Sequence, residues 1–85
     1  MITENLLNSL NELIAALNNS NKKSSADFFM LRYEAIKKSN NALESIKELS
    51  TCRAMAQYAN FALAEESKLD TVVDCAIDIL KKHNL

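Results

Sequence analysis

The chain has 85 residues, of which 48% are hydrophobic and 25% are charged, and its formal net charge is −1. A chain of this length suffices for one domain and leaves no room for a second. The near-neutral charge argues against non-specific nucleic-acid binding, which needs a basic surface. Because the sequence contains no glycine, the glycine-rich loops that hold phosphates and dinucleotides are excluded.

The first predicted element is an amphipathic helix over residues 3–17, with Thr3 as its N-cap. Its leucines recur at spacings of four, three and four residues, and we call this set the leucine ridge: Leu6, Leu10, Leu13 and Leu17. A chain this short buries only about 60% of its unfolded surface. We therefore expect the leucine ridge to be covered in part by a second copy of the chain.

A polar linker is predicted over residues 18–25, within the stretch LNNSNKKSSADFF. Asn18 and Asn19 are suited to a left-handed helix end in a chain without glycine. When extended, the linker is long enough to act as a hinge, which allows the first helix to dock on its own chain or on another.

The second helix is predicted over residues 26–49. Phe29 and Ile36 lie seven positions apart and should join the leucine ridge in a partner-binding or dimer seam. The middle of this helix, KKSNN at 37–41, is polar on all sides. It indicates either a helix that crosses solvent or a polar notch that sets the register against a partner.

Two further helices are predicted over residues 51–66 and 68–83. We expect a break near residue 50, because an unbroken helix over 26–66 would be about 60 Å long, too long for a compact domain of this size. Leu69 and Val73 begin an apolar pattern in the last helix. The predicted fold is thus an all-α bundle of three to four helices, completed by dimerisation.

Charge is distributed unevenly along the chain. Residues 22–53 hold seven basic and four acidic side chains, whereas the last third is acidic. The acidic residues of the last helix recur every four positions, and such a ladder indicates a basic partner. The predicted charged docking surface consists of Arg32, Lys37, Lys38, Asp70, Asp74 and Asp78.

The chemistry-bearing residues are few. His83 is the sole histidine, so the sequence cannot assemble a nucleophile–histidine pair or a site of several histidines, and no metal or cofactor is expected. Cys52 and Cys75 are expected to be free, mostly buried thiols. Arg53 and a nearby helix start could lower the pKa of Cys52, but we favour a structural thiol and expect no enzyme.

The sequence therefore favours a non-enzymatic protein-interaction module that binds and occludes a protein partner stoichiometrically, as an adaptor, a chaperone, or an immunity- or phage-type inhibitor. Its expected partners are a second copy and a heterologous target. The alternative is a small DNA-binding regulator that uses the basic segment 22–53. No apolar run approaches a membrane span, and the first residues lack a signal-peptide pattern, so a cytoplasmic location is expected.

Overall fold

A computed structural model describes residues 2–83 of the chain. It contains five helices: α1 (Glu4–Asn19), α2 (Lys23–Lys37), α3 (Ala42–Ser50), α4 (Met55–Tyr58) and α5 (Leu63–His83). Residues 2–83 include no strand. The prediction of an all-α fold is confirmed, but the helix predicted over 26–49 is divided into α2 and α3. The helix predicted over 51–66 is wrong, because only the single turn α4 and the start of α5 are helical there.

The four longer helices close into a ring. α1 packs against α2, α2 against α3, α3 against α5, and α5 returns to α1. α1 and α5 run antiparallel, because Glu12 lies beside Lys68 while Ser9 lies beside Cys75. A closed ring lets each helix bury one face against two neighbours, so a core forms within one chain.

Three helices, α1, α2 and α4, end without glycine by placing a short polar residue in the left-handed region. Asn21, Ser39 and Asn60 have φ values of 59°, 57° and 55°. After α1, the Lys22 N–H donates to the Leu17 carbonyl and the Asn21 N–H to the Asn18 carbonyl, which is a Schellman end. The left-handed residue is therefore Asn21, and neither Asn18 nor Asn19 takes that role.

These helix ends move several predicted boundaries. α1 continues to Asn19 and α2 begins at Lys23, so the connection is much shorter than the predicted linker over 18–25. A chain segment this short holds α1 directly against α2 and leaves no slack for a hinge.

The polar stretch at 37–41 is neither a solvent-crossing helix nor a polar notch. α2 ends at Lys37, and both Ser39 and Asn41 are left-handed. The Ser39 N–H donates to the Ile36 carbonyl and the Asn40 N–H to the Ala35 carbonyl, which closes the helix. α3 then ends at Ser50, where a break was expected.

The core consists of the inward faces of all five helices. Phe29, Ile46, Leu49, Leu69 and Val72 are fully buried, together with the leucine ridge. Their apolar side chains supply the main stabilising term, at about 1.5–3 kcal/mol for each fully buried large side chain.

Candidate protein-binding surfaces

The residues predicted as a partner-binding or dimer seam lie inside the bundle. Leu6, Leu10, Leu13, Leu17 and Phe29 are fully buried within one chain, and Ile36 is nearly so. α1 obtains its cover from α2 and α5 of the same chain. This corrects the expectation that a second copy covers the leucine ridge. Homodimerisation itself stays a prediction, and a dimer would have to use an outer surface.

Arg32, predicted as part of a docking surface, is held within the chain, and its side chain is only 16% exposed. Its guanidinium lies 3.9 Å from the centre of the Phe28 ring and donates to the Glu48 carboxylate at 3.0 Å. It thereby joins α2 to α3. This arrangement leaves little of Arg32 for a partner to contact.

The neighbouring lysines are exposed but have local partners. Lys38 lies 3.4 Å from Glu34, one helical turn away. The Lys37 ammonium lies 5.8 Å from the centre of the Tyr33 ring. These contacts lie on the solvent-facing side of α2, where ion pairs stabilise a protein by at most about 1 kcal/mol.

The acidic ladder on α5 is largely neutralised by its own chain. The two terminal nitrogens of the Arg53 guanidinium each donate a hydrogen bond, one to Asp70 at 3.1 Å and one to Asp74 at 2.9 Å. Asp78 pairs with Lys82 at 3.1 Å. The ladder therefore anchors the segment after α3 to α5 and does not present three free carboxylates to a basic partner.

The basic segment 22–53 is similarly committed to contacts within the chain. Among residues 2–83, Lys37 and Lys47 are the members of this segment that lie in no ion pair. The other five are paired with carboxylates: Lys22, Lys23, Arg32, Lys38 and Arg53. Phosphate binding by these side chains would require breaking the existing pairs.

The surroundings of Cys52 disfavour its thiolate. Its thiol donates to the Leu49 carbonyl at 3.2 Å. Burial raises the pKa of the Cys52 thiol to about 11, despite the opposing effects of a hydrogen bond from its own backbone and of the positive charges of Arg32 and Arg53. The thiolate that nucleophilic chemistry requires is therefore scarce at neutral pH. Cys52 and Cys75 are both free and half-buried.

At the end of the bundle where α1 ends and α5 begins, the buried carboxylate of Glu65 pairs with Lys22. We call this ion pair the Lys22–Glu65 lock. Lys22 and Glu65 pair at 2.6 Å, and the Glu65 side chain is 3% exposed. The Ala62 N–H also donates to Glu65 at 2.8 Å. Glu65 thus completes half of a capping box at the start of α5.

The lock keeps Glu65 ionised. Burial by itself raises the pKa of the Glu65 carboxyl, but the hydrogen bonds from Lys22, Ser20 and the Ala62 N–H, with the positive charge of Lys22, outweigh burial and hold the pKa below its ordinary value. Sequence reasoning missed this residue. One signal could have identified Glu65. Ala62 directly precedes α5, and a glutamate three residues after such a position is typical of a capping box.

The opposite end of the α1–α5 pair is open. A groove of about 410 Å³ lies between the start of α1 and the last turns of α5, and we call it the α1/α5 groove. Ile2, Cys75 and Ile79 supply its accessible apolar part, with the fully buried Leu6 behind them, and its polar lining comes from Asn5, Asp78, Lys82 and His83. Ile2, although it lines the groove, has 86% of its surface exposed.

A second, smaller hollow of about 60 Å³ lies further along the same helix pair. This hollow is lined by Ser9, Glu12, Lys68 and Thr71. Between the two hollows, the Ser9 hydroxyl and the Cys75 sulfur are 3.7 Å apart. The surface between α1 and α5 is thus apolar at one end, narrow in the middle and polar at the other end.

Sequence reasoning did not single out the groove. The signal lies beside the leucine ridge, where Asn5, Ser9 and Glu12 repeat at helical spacing. On α5, Thr71, Cys75, Asp78 and Lys82 do the same. Neither set is strongly apolar, so neither predicts a surface until the two helices are placed side by side.

Further apolar side chains are exposed elsewhere. Leu31 lies on the outer face of α2, flanked one turn away by half-buried Phe28 and Ala35. Tyr58 and Leu63 are exposed near the junction of α4 and α5. Scattered exposed apolar residues are normal on protein surfaces, and these do not line the groove.

Comparisons with known proteins give no relative: no family model, curated protein or solved structure matches this chain. Within residues 2–83, no cluster of three or more histidine, cysteine or acidic side chains is arranged to hold a metal ion. None of the described helices combines the length and the apolar character that crossing a bilayer demands.

Proposed function

We propose that this protein is a stoichiometric protein-binding module that takes up an apolar side chain of its partner in the α1/α5 groove. By covering the partner's surface, such a module acts as an adaptor, a chaperone or an inhibitor. The observation that carries this proposal is the exposed Ile2 beside an open apolar groove. Concave sites with an apolar lining and a few polar groups are the usual form of binding sites.

The charge of the groove favours recognition by apolar contact. Asp78 and Lys82, which both line it, neutralise each other at 3.1 Å. A partner that enters the groove therefore gains stability from burying Ile2 and Ile79 and not from net charge. Burial of apolar surface contributes about 25 cal/mol per Å², so a single well-fitted aliphatic side chain is a substantial anchor.

The basic segment supports protein binding over DNA binding. A DNA-binding surface needs several basic side chains free to displace counterions, whereas Arg32 and Arg53 are engaged with Glu48 and with Asp70 and Asp74.

The proposal is tested by placing a photo-crosslinking amino acid at Asn5, on the lining of the groove, in the protein expressed in its native cell. The matched control position is Glu44, which is exposed on α3. We expect a discrete one-to-one crosslinked species from position 5 and none from position 44. Equal crosslinking from both positions would contradict a role for the groove.

Two surface variants sharpen this experiment. Ile2 and Leu63 are 86% and 85% exposed, respectively, and lie at opposite ends of the α1–α5 pair. Ile2→Asp should abolish the crosslink at position 5, and Leu63→Asp should leave it intact. The comparison matches side-chain size and exposure, so a general effect of adding a surface carboxylate cannot explain the difference.

A further inference from the structure

We infer that the segment between α3 and α5 is a strap that opens as a unit while the ring of the four longer helices stays closed. The strap consists of residues 51–62 and includes the single turn α4. Its clasp is Arg53, which bridges Asp70 and Asp74 on α5. Release of this clasp lets the strap leave the side of the bundle and uncovers Cys52. The opening is independent of the binding proposed at the α1/α5 groove.

The backbone of the strap is attached locally. Among residues 2–83, the backbone hydrogen bonds of the strap join residues that are at most five positions apart in sequence. In the same part of the chain, α4 packs against α5 and against no other helix, whereas each of the four longer helices packs against two neighbours. Opening the strap therefore leaves the contacts among the four longer helices in place.

The apolar attachment of the strap is shallow. Met55, Ala56 and Phe61 are between 7% and 9% exposed, whereas the other buried apolar side chains of the described chain are at most 4% exposed. Most of the remaining strap residues face solvent, including Tyr58 at 78% exposed. Segments with few buried apolar side chains and local hydrogen bonds are the ones that open before a whole protein unfolds.

Arg53 supplies the long-range polar contacts of the strap. Its two ion pairs reach carboxylates that lie 17 and 21 positions further along the chain. Within residues 2–83, the other polar contact between the strap and α5 is the Ala62 N–H bond to Glu65, at the strap's own end. Because one guanidinium holds two carboxylates of the same helix, both bonds must break before the strap can leave. The Arg53 side chain is 52% exposed, so salt weakens the clasp.

Both ends of the strap allow the backbone to turn. At the α3 end, the N–H groups of Thr51 and Cys52 donate to the Glu48 and Leu49 carbonyls at 3.3 and 3.4 Å, which is long for such bonds. At the α5 end, Asn60 has a φ of 55°, and release of the strap lets it return to a more favourable region. Changes in φ and ψ at a few such residues are enough for a hinge.

The opening is measured by hydrogen exchange of the full-length protein at constant pH, in urea concentrations well below the unfolding transition. The amides of Met55, Ala59 and Phe61 should share one opening equilibrium. They should exchange faster than those of Leu10 and Leu13 in α1, with a much smaller dependence on urea, because opening exposes far less surface than unfolding does. The same rate and urea dependence in the strap and in α1, or unrelated equilibria within the strap, would overturn the inference.

The clasp is tested by variants of Arg53. In Arg53→Gln, the strap amides should exchange about threefold to tenfold faster, with those of α1 unchanged. Arg53→Lys keeps the charge without the two-pronged group and should give an intermediate rate. The matched control is Lys82→Gln, which removes an exposed cation paired with Asp78 of the same acidic ladder and should leave the strap unchanged. Equal acceleration by the control, or none in Arg53→Gln, would show that Arg53 is not the clasp.

Salt provides a test that needs no variant to fold. In the natural chain, raising the salt concentration from about 0.05 to about 0.5 M should speed exchange of the strap amides more than exchange in α1. In Arg53→Gln this difference should largely disappear. A strap that does not respond to salt in the natural chain would contradict an electrostatic clasp.

Cys52 gives an independent test in which an open and a closed strap have effects of opposite sign. Burial raises the pKa of the Cys52 thiol, and the positive charge of Arg53 opposes this effect. If the strap stays closed, Arg53→Gln should raise that pKa further and slow labelling by a thiol reagent at neutral pH. If the strap opens, Cys52 loses its burial and labelling should become faster. In a Cys75→Ser background we expect faster labelling, and slower labelling would overturn the inference.

Discussion

The two ends of the α1–α5 pair carry side chains of different kinds. Where α1 stops and α5 starts, Lys22 pairs with the buried Glu65 carboxylate, which also caps α5. Where α1 starts and α5 stops, Ile2 is exposed beside an apolar groove. One end is closed by satisfied polar groups and the other is left open with apolar surface.

On the proposed function, this difference separates the residues that stabilise the fold from those that would contact a partner. A buried charge is tolerated only when it is paired, so the Lys22–Glu65 lock fixes one arrangement of the chain at its end of the bundle. An exposed aliphatic side chain such as Ile2 adds little to the stability of the folded chain, but it can contribute to an interface. The closed end should therefore respond to mutation with a loss of stability, and the open end with a loss of binding.

The largest effect is expected for Lys22→Met at the closed end. Removing the lysine leaves Glu65 buried without its cation, and loss of one partner of a buried pair costs about 3–5 kcal/mol. Because the Lys22 side chain is 24% exposed, the lower value of about 3 kcal/mol is expected in urea unfolding. The matched control is Lys23→Met, whose exposed pair with Asp27 should contribute less than about 1 kcal/mol. Equal losses in the two variants would contradict the lock.

The thiols provide a second contrast. Because burial raises the pKa of Cys52 to about 11 from 9.0, its thiolate fraction at neutral pH falls about a hundredfold. Labelling of Cys52 in a Cys75→Ser background should therefore be about a hundredfold slower in the folded protein than in urea. Rapid labelling of the folded protein at pH 7 would instead show that the Cys52 thiolate is accessible and would support a nucleophilic role for Cys52.

A smaller effect is expected from acid. The pKa of Glu65 is lower in the folded chain than its ordinary value of 4.5. The stability contributed by its ionised form is therefore fully present above that ordinary value and is lost as the pH falls through the folded pKa. The difference in unfolding free energy between the natural chain and Glu65→Gln should be constant at neutral pH and should shrink in acid. A difference that stays constant down to strong acid would show that Glu65 titrates normally.

The smallest effect on stability is expected at the open end. Ile2→Asp and Leu63→Asp should each change the unfolding free energy by less than about 0.5 kcal/mol, because both side chains are almost fully exposed. Chemical unfolding monitored by circular dichroism measures both. A large loss for Ile2→Asp would mean that Ile2 is part of the core, and the effect of this variant on binding would then have a structural cause.

Much of the helical pattern could be predicted from the sequence. The leucine ridge lies on one face of α1 whenever this segment is helical, because an α-helix has 3.6 residues per turn. Val73 and Leu69 on α5 follow the same rule. What covers those faces could not be predicted, since a pattern of apolar residues does not state whether its cover comes from the same chain or from another.

The predicted charged surface failed for a related reason. Arg53 meets Asp70 and Asp74 across 17 and 21 residues of chain, and Arg32 meets Glu48 across 16. Local sequence reports only pairs three or four positions apart on a helix. Arg32 and Arg53 therefore form ion pairs between helices or segments that no local sequence pattern indicates.

The sequence by itself determined that this chain is helical and which face of its first and last helices is apolar, because backbone periodicity and side-chain hydrophobicity are local properties. Tertiary structure decided where the helices end, which charges pair, that the leucine ridge is covered within one chain, and that a groove opens between α1 and α5. These features depend on residues far apart in sequence, and they arise when packing brings those residues to within a few ångströms of one another.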